Sequence, residues 1–277
     1  ITYNATISAC EKGQQWITAT TLLREMQQWH MKPDTITYNA TISACEKGQQ
    51  WITATTLLRE TQQWHIKPDT ITYSAAISAC EKGQQWITAT TLLREMQQWH
   101  MKPDTITYNA TISACEKGQQ WITATTLLRE MQQWHIKPNT ITYSAAISAC
   151  EKGQQWITAT TLLREMQQLH MKTDTITYSA AISACEKGQQ WITATTLLRE
   201  MQQWHMKPST ITYSAAISAC EKGQQWITAT TLLREMQQWH VASDMVAHII
   251  AVALCRFVPL EMSGIPKLGP NMVKFIF

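Results

Sequence analysis

Residues 1–35 read ITYNATISACEKGQQWITATTLLREMQQWHMKPDT, and six further copies of this 35-residue unit follow without a gap up to Met245. A period of this size is typical of proteins in which each unit is one supersecondary element that buries its apolar face by stacking on its neighbours. The sequence therefore predicts an elongated solenoid over residues 1–245, with a long repeating surface that suits an extended partner. Residues 246–277 are expected to be a degenerate eighth repeat followed by an irregular tail.

Each unit is predicted to form two helices, which makes the fold all-α. In the second copy, the first helix is expected from about Thr37 to Lys47, and the second from about Gln49 to Trp64. Gly48 is expected to permit the tight turn between them. The stretch WITATT is rich in β-branched residues and would pass locally for a strand. The strongly helical LLREMQQ-type run that accompanies it favours a helix instead.

Composition limits the classes of function. The chain is 44% hydrophobic and 16% charged, which excludes a disordered chain. The net charge is only +3, so no strong positive field points to a nucleic-acid partner. Any affinity for nucleic acid must depend on where the lysines lie.

The cysteines recur at intervals of 35 residues. Equivalent positions on stacked helices lie roughly 8–10 Å apart, whereas the Cα atoms of a disulfide are rarely more than about 7 Å apart. No CxxC or clustered Cys/His spacing suggests a metal site. We therefore predict buried free thiols and a reducing compartment. The eight are Cys10, Cys45, Cys80, Cys115, Cys150, Cys185, Cys220 and Cys255.

No residues converge in a pattern that would support catalysis, so we expect neither an enzyme nor a bound cofactor or metal. His30 and its equivalents occur once per unit, near the end of the second helix. The Trp pairs, such as Trp16 and Trp29, could stack on bases, but core packing is the favoured interpretation. The apolar run 245–260 is too short to cross a membrane and contains His248 and Arg256.

One face of the first helix carries a distinctive row of residues. Ile36, Asn39, Ser43 and Lys47 lie at i, i+3, i+7 and i+11, on one side of the helix. An aliphatic residue, two short polar residues and a cation in each unit match a strand of bases and phosphates. A solvated polar face is the alternative interpretation of the same row.

The residues that open and close each unit resemble a known family. The Thr-Tyr-Asn opening, the Lys before the turn, the Leu-Leu-Arg-Glu-Met run and the final Lys-Pro-Asp are similar to the 35-residue, P-type pentatricopeptide repeat. All seven copies match in register. The tetratricopeptide repeat differs in its 34-residue period and its Trp-x2-Leu-Gly start, which no copy contains.

The resemblance implies a right-handed superhelix of antiparallel helix pairs that binds single-stranded RNA, one nucleotide per repeat. In that family, the residue after the Tyr and the last residue of the motif select the base together. Carried over to this sequence, the pairs are Asn4 with Asp34, Asn39 with Asp69, Ser74 with Asp104, Asn109 with Asn139, Ser144 with Asp174, Ser179 with Ser209, and Ser214 with Asp244.

Two further sets of residues take their roles from the same resemblance. An aliphatic residue near the start of each motif sandwiches the base, and the Lys before the turn contacts phosphate. The sandwiching residues are Ile1, Ile36, Ile71, Ile106, Ile141, Ile176, Ile211 and Val246. The phosphate-contacting residues are Lys12, Lys47, Lys82, Lys117, Lys152, Lys187 and Lys222.

The resemblance also implies a target and a cellular role. Asn with Asp suggests U, Asn with Asn suggests C or U, Ser with Asp suggests G, and Ser with Ser suggests A. With the first repeat at the 5′ side, the target is U-U-G-C/U-G-A-G. Family members work on RNA processing, stability, editing or translation in organelles, so we expect a chloroplast or, less readily, a mitochondrion. The chain starts inside a repeat, and any targeting peptide is expected upstream of it. A scaffold for protein partners is the alternative function, favoured by the weak net charge.

Overall fold

A computed structural model describes residues 2–238, which form seven consecutive helix pairs. The helices are α1 (Thr2–Lys12), α2 (Trp16–Gln28), α3 (Thr35–Lys47), α4 (Trp51–Gln63), α5 (Thr70–Lys82), α6 (Trp86–Gln98), α7 (Thr105–Lys117), α8 (Trp121–Gln133), α9 (Thr140–Lys152), α10 (Trp156–Gln168), α11 (Thr175–Lys187), α12 (Trp191–Gln203), α13 (Thr210–Lys222) and α14 (Trp226–Gln238).

The helix pairs stack into a solenoid, and the predicted all-α architecture is confirmed. Each odd-numbered helix, which we call a first helix, packs against the first helices of the neighbouring repeats. Each even-numbered, or second, helix packs against the first helix of its own repeat and that of the next repeat. The first helices therefore line one face of the array, and the second helices line the other.

A capping residue fixes the start of each first helix from α3 onward. Asp34 adopts an extended conformation, and its side chain accepts a hydrogen bond from the backbone N–H of Thr37 at 2.9 Å. This is a capping box, because the Thr37 side chain in turn bonds the Asp34 backbone. The helix begins at Thr35, two residues before the predicted start, because the cap precedes its first turn.

The second helices settle the ambiguity between strand and helix. The hydroxyl of Thr55 donates to the backbone carbonyl of Trp51 at 3.0 Å, and that of Thr56 donates to the carbonyl of Ile52 at 2.8 Å. These bonds within the preceding turn let Thr residues, which are weak helix formers, fit a helix. The helix begins at Trp51, not at Gln49 as predicted, because Gln49 has a positive φ of 58°.

The core is continuous along the array. The predicted stripe of Tyr38, Ile42 and Cys45 is fully buried and faces Ala54 and Leu58 of the second helix. The free thiols are confirmed for the seven cysteines that the structure describes. Burial raises the pKa of most of them to about 12, so they stay protonated and unreactive at neutral pH. These are Cys45, Cys80, Cys115, Cys150 and Cys185.

The glycine between the two helices has a role that the sequence did not reveal. Gly48 has an ordinary φ of −80°, and the left-handed residue that ends the helix is Gln49. A Cβ built on Gly48 would lie 2.4 Å from Cδ1 of Trp16, the first residue of the preceding second helix. The expectation that this glycine permits the turn is therefore wrong. It is small because an indole from the neighbouring repeat lies against its Cα.

Replacing Gly118 with Ala is expected to destabilise the array by about 1–3 kcal/mol, the usual effect of overpacking. The new Cβ would lie 2.3 Å from Cδ1 of Trp86, so the junction between the third and fourth repeats must open. Urea unfolding followed by circular dichroism measures the loss. Gly13→Ala is the matched control, because a Cβ on Gly13 meets nothing closer than 3.5 Å. Equal midpoints for the two variants would contradict the indole contact.

The two tryptophans of each repeat lie in different environments, which corrects part of the prediction. Trp16 and its equivalents are half-buried and pack against the core. Trp29 and its equivalents follow the second helix as its C-cap residue and are 51–72% exposed, so the prediction of core packing is wrong for this set. The exposed set comprises Trp29, Trp64, Trp99, Trp134 and Trp204.

Candidate nucleic-acid interface

The open face of the first helices carries a row of exposed isoleucines, one in each of the second to seventh repeats. Their side chains are 61–69% exposed, whereas the Ile42 side chain on the opposite side of the same helix is fully buried. A large apolar side chain left in solvent in six consecutive repeats is a regular feature that burial in the core does not explain. The row comprises Ile36, Ile71, Ile106, Ile141, Ile176 and Ile211.

The paired selecting residues meet across the junction between repeats. Asn4 Nδ2 donates to the Asp34 carboxylate at 3.3 and 3.4 Å. Asn39 Nδ2 donates to both carboxylate oxygens of Asp69, each at 3.1 Å. Each pair is separated by 30 residues in sequence, and stacking brings its members together beside the isoleucine row.

The fourth repeat contains the Asn–Asn pair. Asn109 Nδ2 donates to Oδ1 of Asn139 at 3.2 Å. Asn139 also caps α9, because its side chain accepts a hydrogen bond from the backbone N–H of Thr142. An amide therefore replaces the carboxylate without a change in the local fold, and this junction loses one negative charge.

In repeats that carry Ser, the two members of the pair are joined through a threonine. Ser74 Oγ lies 2.7 Å from Oγ1 of Thr107, which donates to Asp104 Oδ1 at 2.8 Å. The same chain of contacts links the pairs of the fifth and sixth repeats: Ser144 with Asp174 through Thr177, and Ser179 with Ser209 through Thr212.

The bridging threonine is a site residue that the sequence reasoning missed. Thr37 and its equivalents are fully buried, yet their hydroxyls join both members of the six selecting pairs that the structure describes. The sequence did contain a signal, because Asp-x-x-Thr places a hydroxyl three residues after an N-cap, in the pattern of a capping box. The set comprises Thr37, Thr72, Thr107, Thr142, Thr177 and Thr212.

The first of the selecting carboxyl groups is held in its ionised form. Partial burial would raise the pKa of Asp34, but hydrogen bonds from Thr37 and Asn4 outweigh it, and the pKa lies below its ordinary value. The carboxylate is therefore a hydrogen-bond acceptor at neutral pH.

From the second repeat onward, the lysines at the ends of the first helices are paired across repeats, whereas Lys12 of the first repeat is exposed and forms no ion pair within the described residues. Lys47 Nζ lies 3.0 Å from Glu11 Oε1, and Lys117 Nζ lies 2.6 Å from Glu81 Oε1. The same contact with the preceding repeat occurs for Lys82, Lys152, Lys187 and Lys222. Half-exposed ion pairs of this kind are worth about 0–1 kcal/mol, so they exchange readily for another anion.

A second set of ion pairs, between arginines and glutamates, joins successive second helices on the opposite face of the array. Arg24 makes two hydrogen bonds to Glu60 at 2.6 and 2.9 Å, and Arg59 contacts Glu95 in the same way. The guanidinium pKa of Arg24 is raised, chiefly by its hydrogen bond to Glu60. These pairs link neighbouring repeats and lie away from the isoleucine row.

Three of the site residues proposed from the sequence lie outside the described residues: Ile1, Asp244 and Val246. Within residues 2–238, no group of three or more His, Cys, Asp or Glu side chains could hold a metal ion. No helix of that region combines the length and apolar character that a membrane span needs.

An array of helix pairs with a repeated polar junction defines an α-solenoid repeat protein, and sequence models identify the family. The model of the PPR repeat family matches residues 1–47, 68–117 and 103–152. The pentatricopeptide repeat domain model matches residues 161–222, and the PPR repeat model matches residues 141–171 and 211–241. The chain belongs to the pentatricopeptide repeat family, as the sequence resemblance predicted. No curated protein sequence gives a match.

Solved structures share the fold at low sequence identity. The crystal structure of the pentatricopeptide repeat protein PPR10 from maize aligns over 92% of this chain, with 20% identity and a TM-score of 0.62. The chain spans 41% of the length of that protein. PPR10 in complex with an 18-nt psaJ RNA element aligns with a TM-score of 0.55 and the same identity.

A tRNA-bound relative extends the comparison. The PPR domain of Arabidopsis thaliana protein-only RNase P 1, in complex with tRNA, aligns with a TM-score of 0.59 and 11% identity. The alignment covers 65% of this chain and 95% of that domain. At these identities the likeness establishes the fold alone.

Proposed function

We propose that this protein binds single-stranded RNA along the face formed by its first helices, one nucleotide per repeat. The RNA complex of PPR10 supports the proposal, because the fold is shared with this chain. The observation that carries it is the contact between selecting residues 30 positions apart, such as Asn39 and Asp69, beside an isoleucine that is exposed in the second to seventh repeats.

The hydrogen bonds at the junctions explain how two kinds of repeat would select different bases. Where Asn39 is present, its amide covers both oxygens of the Asp69 carboxylate. Where Ser74 is present, Oδ1 of Asp104 accepts bonds from Thr107, and Oδ2 accepts none from the described residues. That free oxygen is a strong acceptor for the N–H donors on the Watson–Crick edge of guanine.

The inferred target is U-U-G-C/U-G-A-G, with the first repeat at the 5′ side. Fluorescence anisotropy with a labelled RNA of this sequence and a scrambled RNA of the same composition tests the selectivity. We expect the target to bind at least about tenfold more tightly, since each polar contact to a base contributes roughly 1 kcal/mol or more. Equal binding of the two RNAs would contradict the inferred preference for the target sequence. If neither RNA bound, the scaffold function would be favoured.

The ion pairs of the first-helix lysines predict that the affinity for RNA depends only weakly on salt concentration. If all seven first-helix lysines contacted phosphates, log K would fall by up to about five per log unit of salt, from roughly 0.7 per contact. A lysine that leaves a glutamate for a phosphate exposes a carboxylate that takes up a cation, which offsets the counterion release. We therefore expect a slope clearly below about five for the wild-type protein.

Replacing Glu46, Glu81 and Glu116 with Gln is expected to tighten RNA binding and to steepen its salt dependence. The change frees Lys82, Lys117 and Lys152 from their ion pairs. Each freed lysine can add up to about 0.7 to the slope, or about two for the three together. Anisotropy titrations at several salt concentrations measure both effects.

Glutamates of the second helices provide a control of equal charge. Glu60, Glu95 and Glu130 pair with arginines on the opposite face, so changing them to Gln alters the net charge by the same amount. RNA affinity should then change little. A similar gain in both triple variants would show that net charge alone governs binding and would contradict the role of the first-helix lysines.

We further propose a role in organellar RNA processing, stability, editing or translation, with a chloroplast favoured over a mitochondrion. The role follows from the family and not from a feature of the array itself. Sequencing the RNA that copurifies with the protein from isolated chloroplasts and mitochondria tests it. Enrichment of organellar transcripts that contain the inferred target is the expected result, and enrichment of nuclear transcripts would contradict it.

A further inference from the structure

A second periodic surface lies on the edge of the array where each second helix ends. We call it the loop edge, and in each of the first six repeats it consists of the exposed residue at the end of the second helix, the His after it and the Lys two residues further on. In the third repeat these are Trp99, His100 and Lys102, all of them exposed. The loop edge recurs in the first six repeats, with Leu169 in place of Trp in the fifth.

The backbone holds this edge in one conformation. His100 has a positive φ of 55°, and the N–H of Met101 donates to the carbonyl of Met96 at 2.9 Å. That bond and the one from the N–H of His100 to the carbonyl of Gln97 form a Schellman motif. The same two bonds recur in the other five of the first six repeats, so the exposed side chains are presented at a regular spacing.

The loop-edge lysines are free cations, unlike the first-helix lysines of the second to seventh repeats. None of them takes part in an ion pair within residues 2–238. The carboxylate that follows Lys102 two residues later, Asp104, bonds Thr107 with one oxygen. The lysines of this set are Lys32, Lys67, Lys102, Lys137, Lys172 and Lys207, and all are exposed.

Crevices lie at this edge of the array, beside the third and the sixth repeats. A cavity of about 360 Å³ is bounded by His100 and Lys102 of the third repeat and by Trp134 of the fourth, with Tyr108 also lining it. A similar cavity of about 300 Å³ is lined by His205 and Lys207. Each crevice therefore combines an imidazole and an ammonium group, and in the first of them an exposed indole forms another wall.

We infer that the loop edge is a second RNA-binding surface, which contacts single-stranded RNA through base stacking and phosphate contacts without selecting its sequence. This inference rests on the proposed RNA-binding function and extends it. Exposed aromatic rings beside free cations suit single-stranded RNA. Every base has a flat face that can stack on an indole ring, and every phosphate carries a negative charge that a lysine can contact. The loop edge also leads directly into the selecting residues, since Lys102 is two positions before Asp104.

The chain contains its own control for the exposed tryptophan. Leu169 occupies the same C-cap position as Trp134, with φ of −81° against −84° and ψ of 6° against 7°. Leucine is therefore compatible with this backbone. Trp→Leu substitutions remove the aromatic ring without a change in the helix end.

The test compares RNA binding by the wild-type chain and by a variant with Trp29, Trp64, Trp99, Trp134 and Trp204 changed to Leu. Anisotropy is measured with a 20-nucleotide RNA that contains U-U-G-U-G-A-G and with a scrambled RNA of the same length. We expect the variant to bind both RNAs at least about a hundredfold more weakly, at roughly tenfold per stacked base, with their affinity ratio unchanged. Leu169→Trp should strengthen both by about tenfold. Circular dichroism and urea unfolding show whether each variant is folded.

The outcomes separate this inference from the proposed function. An unchanged affinity in the folded Trp→Leu variant, with a wild-type preference for the target, overturns the inference alone. If the wild-type protein binds both RNAs equally and the variant binds both more weakly, only the inferred preference for the target sequence is overturned. If a polyglutamate peptide bound in a Trp-dependent manner and RNA did not bind, the loop edge would be a protein-docking surface and the inference would be wrong.

Discussion

Replacing five glutamines with glycine should stabilise the array by roughly 2.5–5 kcal/mol. Each is the residue that ends a first helix with a φ of 57–58°, a region that an L-residue other than glycine adopts at a cost of about 1–2 kcal/mol. Glycine removes that strain, and after its greater loss of backbone entropy about 0.5–1 kcal/mol remains at each site. The sites lie in different repeats, so their effects should add. They are Gln49, Gln84, Gln119, Gln154 and Gln189.

Urea unfolding followed by circular dichroism measures this gain as a higher midpoint. The matched control changes the next residue in each repeat, such as Gln120, to Gly. Gln120 has a φ of −98°, and its side chain donates to the carbonyl of Gly118 at 3.2 Å. Glycine there should destabilise the protein. A loss of stability in the first set would show that the left-handed glutamines are not strained.

Changing Asn39 to Ser together with Thr41 to Ala should switch the second repeat from U to G. The double change gives the second repeat the Ser-Ala-Ala sequence that the third repeat has at Ser74. It removes the amide that covers the Asp69 carboxylate, and one carboxylate oxygen becomes available to guanine N–H donors. Gain of a charge-assisted bond to G and loss of the contact to U are each worth roughly tenfold, so the preference should shift by about a hundredfold.

Competition between RNAs that differ only at the second position measures this shift. The reciprocal change, Ser74→Asn with Ala76→Thr, should move the preference at the third position from G to U. Thr41 and Ala76 are both fully buried, and each variant copies a pairing that already occurs in a neighbouring repeat, so we expect both to fold. An unchanged base preference in both variants would show that these residues do not select the base.

Much of the architecture could be predicted because the repeat carries the same information seven times. The period indicated helix pairs. The stripe of Tyr38, Ile42 and Cys45 indicated the buried face of the first helix, and Ile36 indicated its solvent-exposed face. The helix boundaries could not be predicted from the period. The first helix begins at Thr35 because Asp34 caps it, and the second begins at Trp51 because Gln49 is left-handed. The apolar periodicity contains no information on either feature.

The residues of the candidate site were only partly accessible from sequence. The family resemblance predicted that Asn39 and Asp69 act as a pair, but the threonine that bridges them, Thr72, was identified only from the structure. Ion pairs such as Lys82 with Glu46 were likewise missed, because their members are 36 residues apart and meet only when repeats stack. The exposure of Trp64 was predicted wrongly, because the helix ends before that residue and its side chain projects from the cap.

The sequence by itself determined the class of fold, since a 35-residue period with alternating apolar stripes leaves stacked helix pairs as the arrangement that buries those stripes. It also determined which side chains recur at every step of the surface. Tertiary structure decided the partner of each polar group: which lysines are ion-paired, which carboxylate oxygens remain free, and why Gly118 must be small. Those features depend on contacts between repeats, because distances between side chains of different units are set by packing and not by order along the chain.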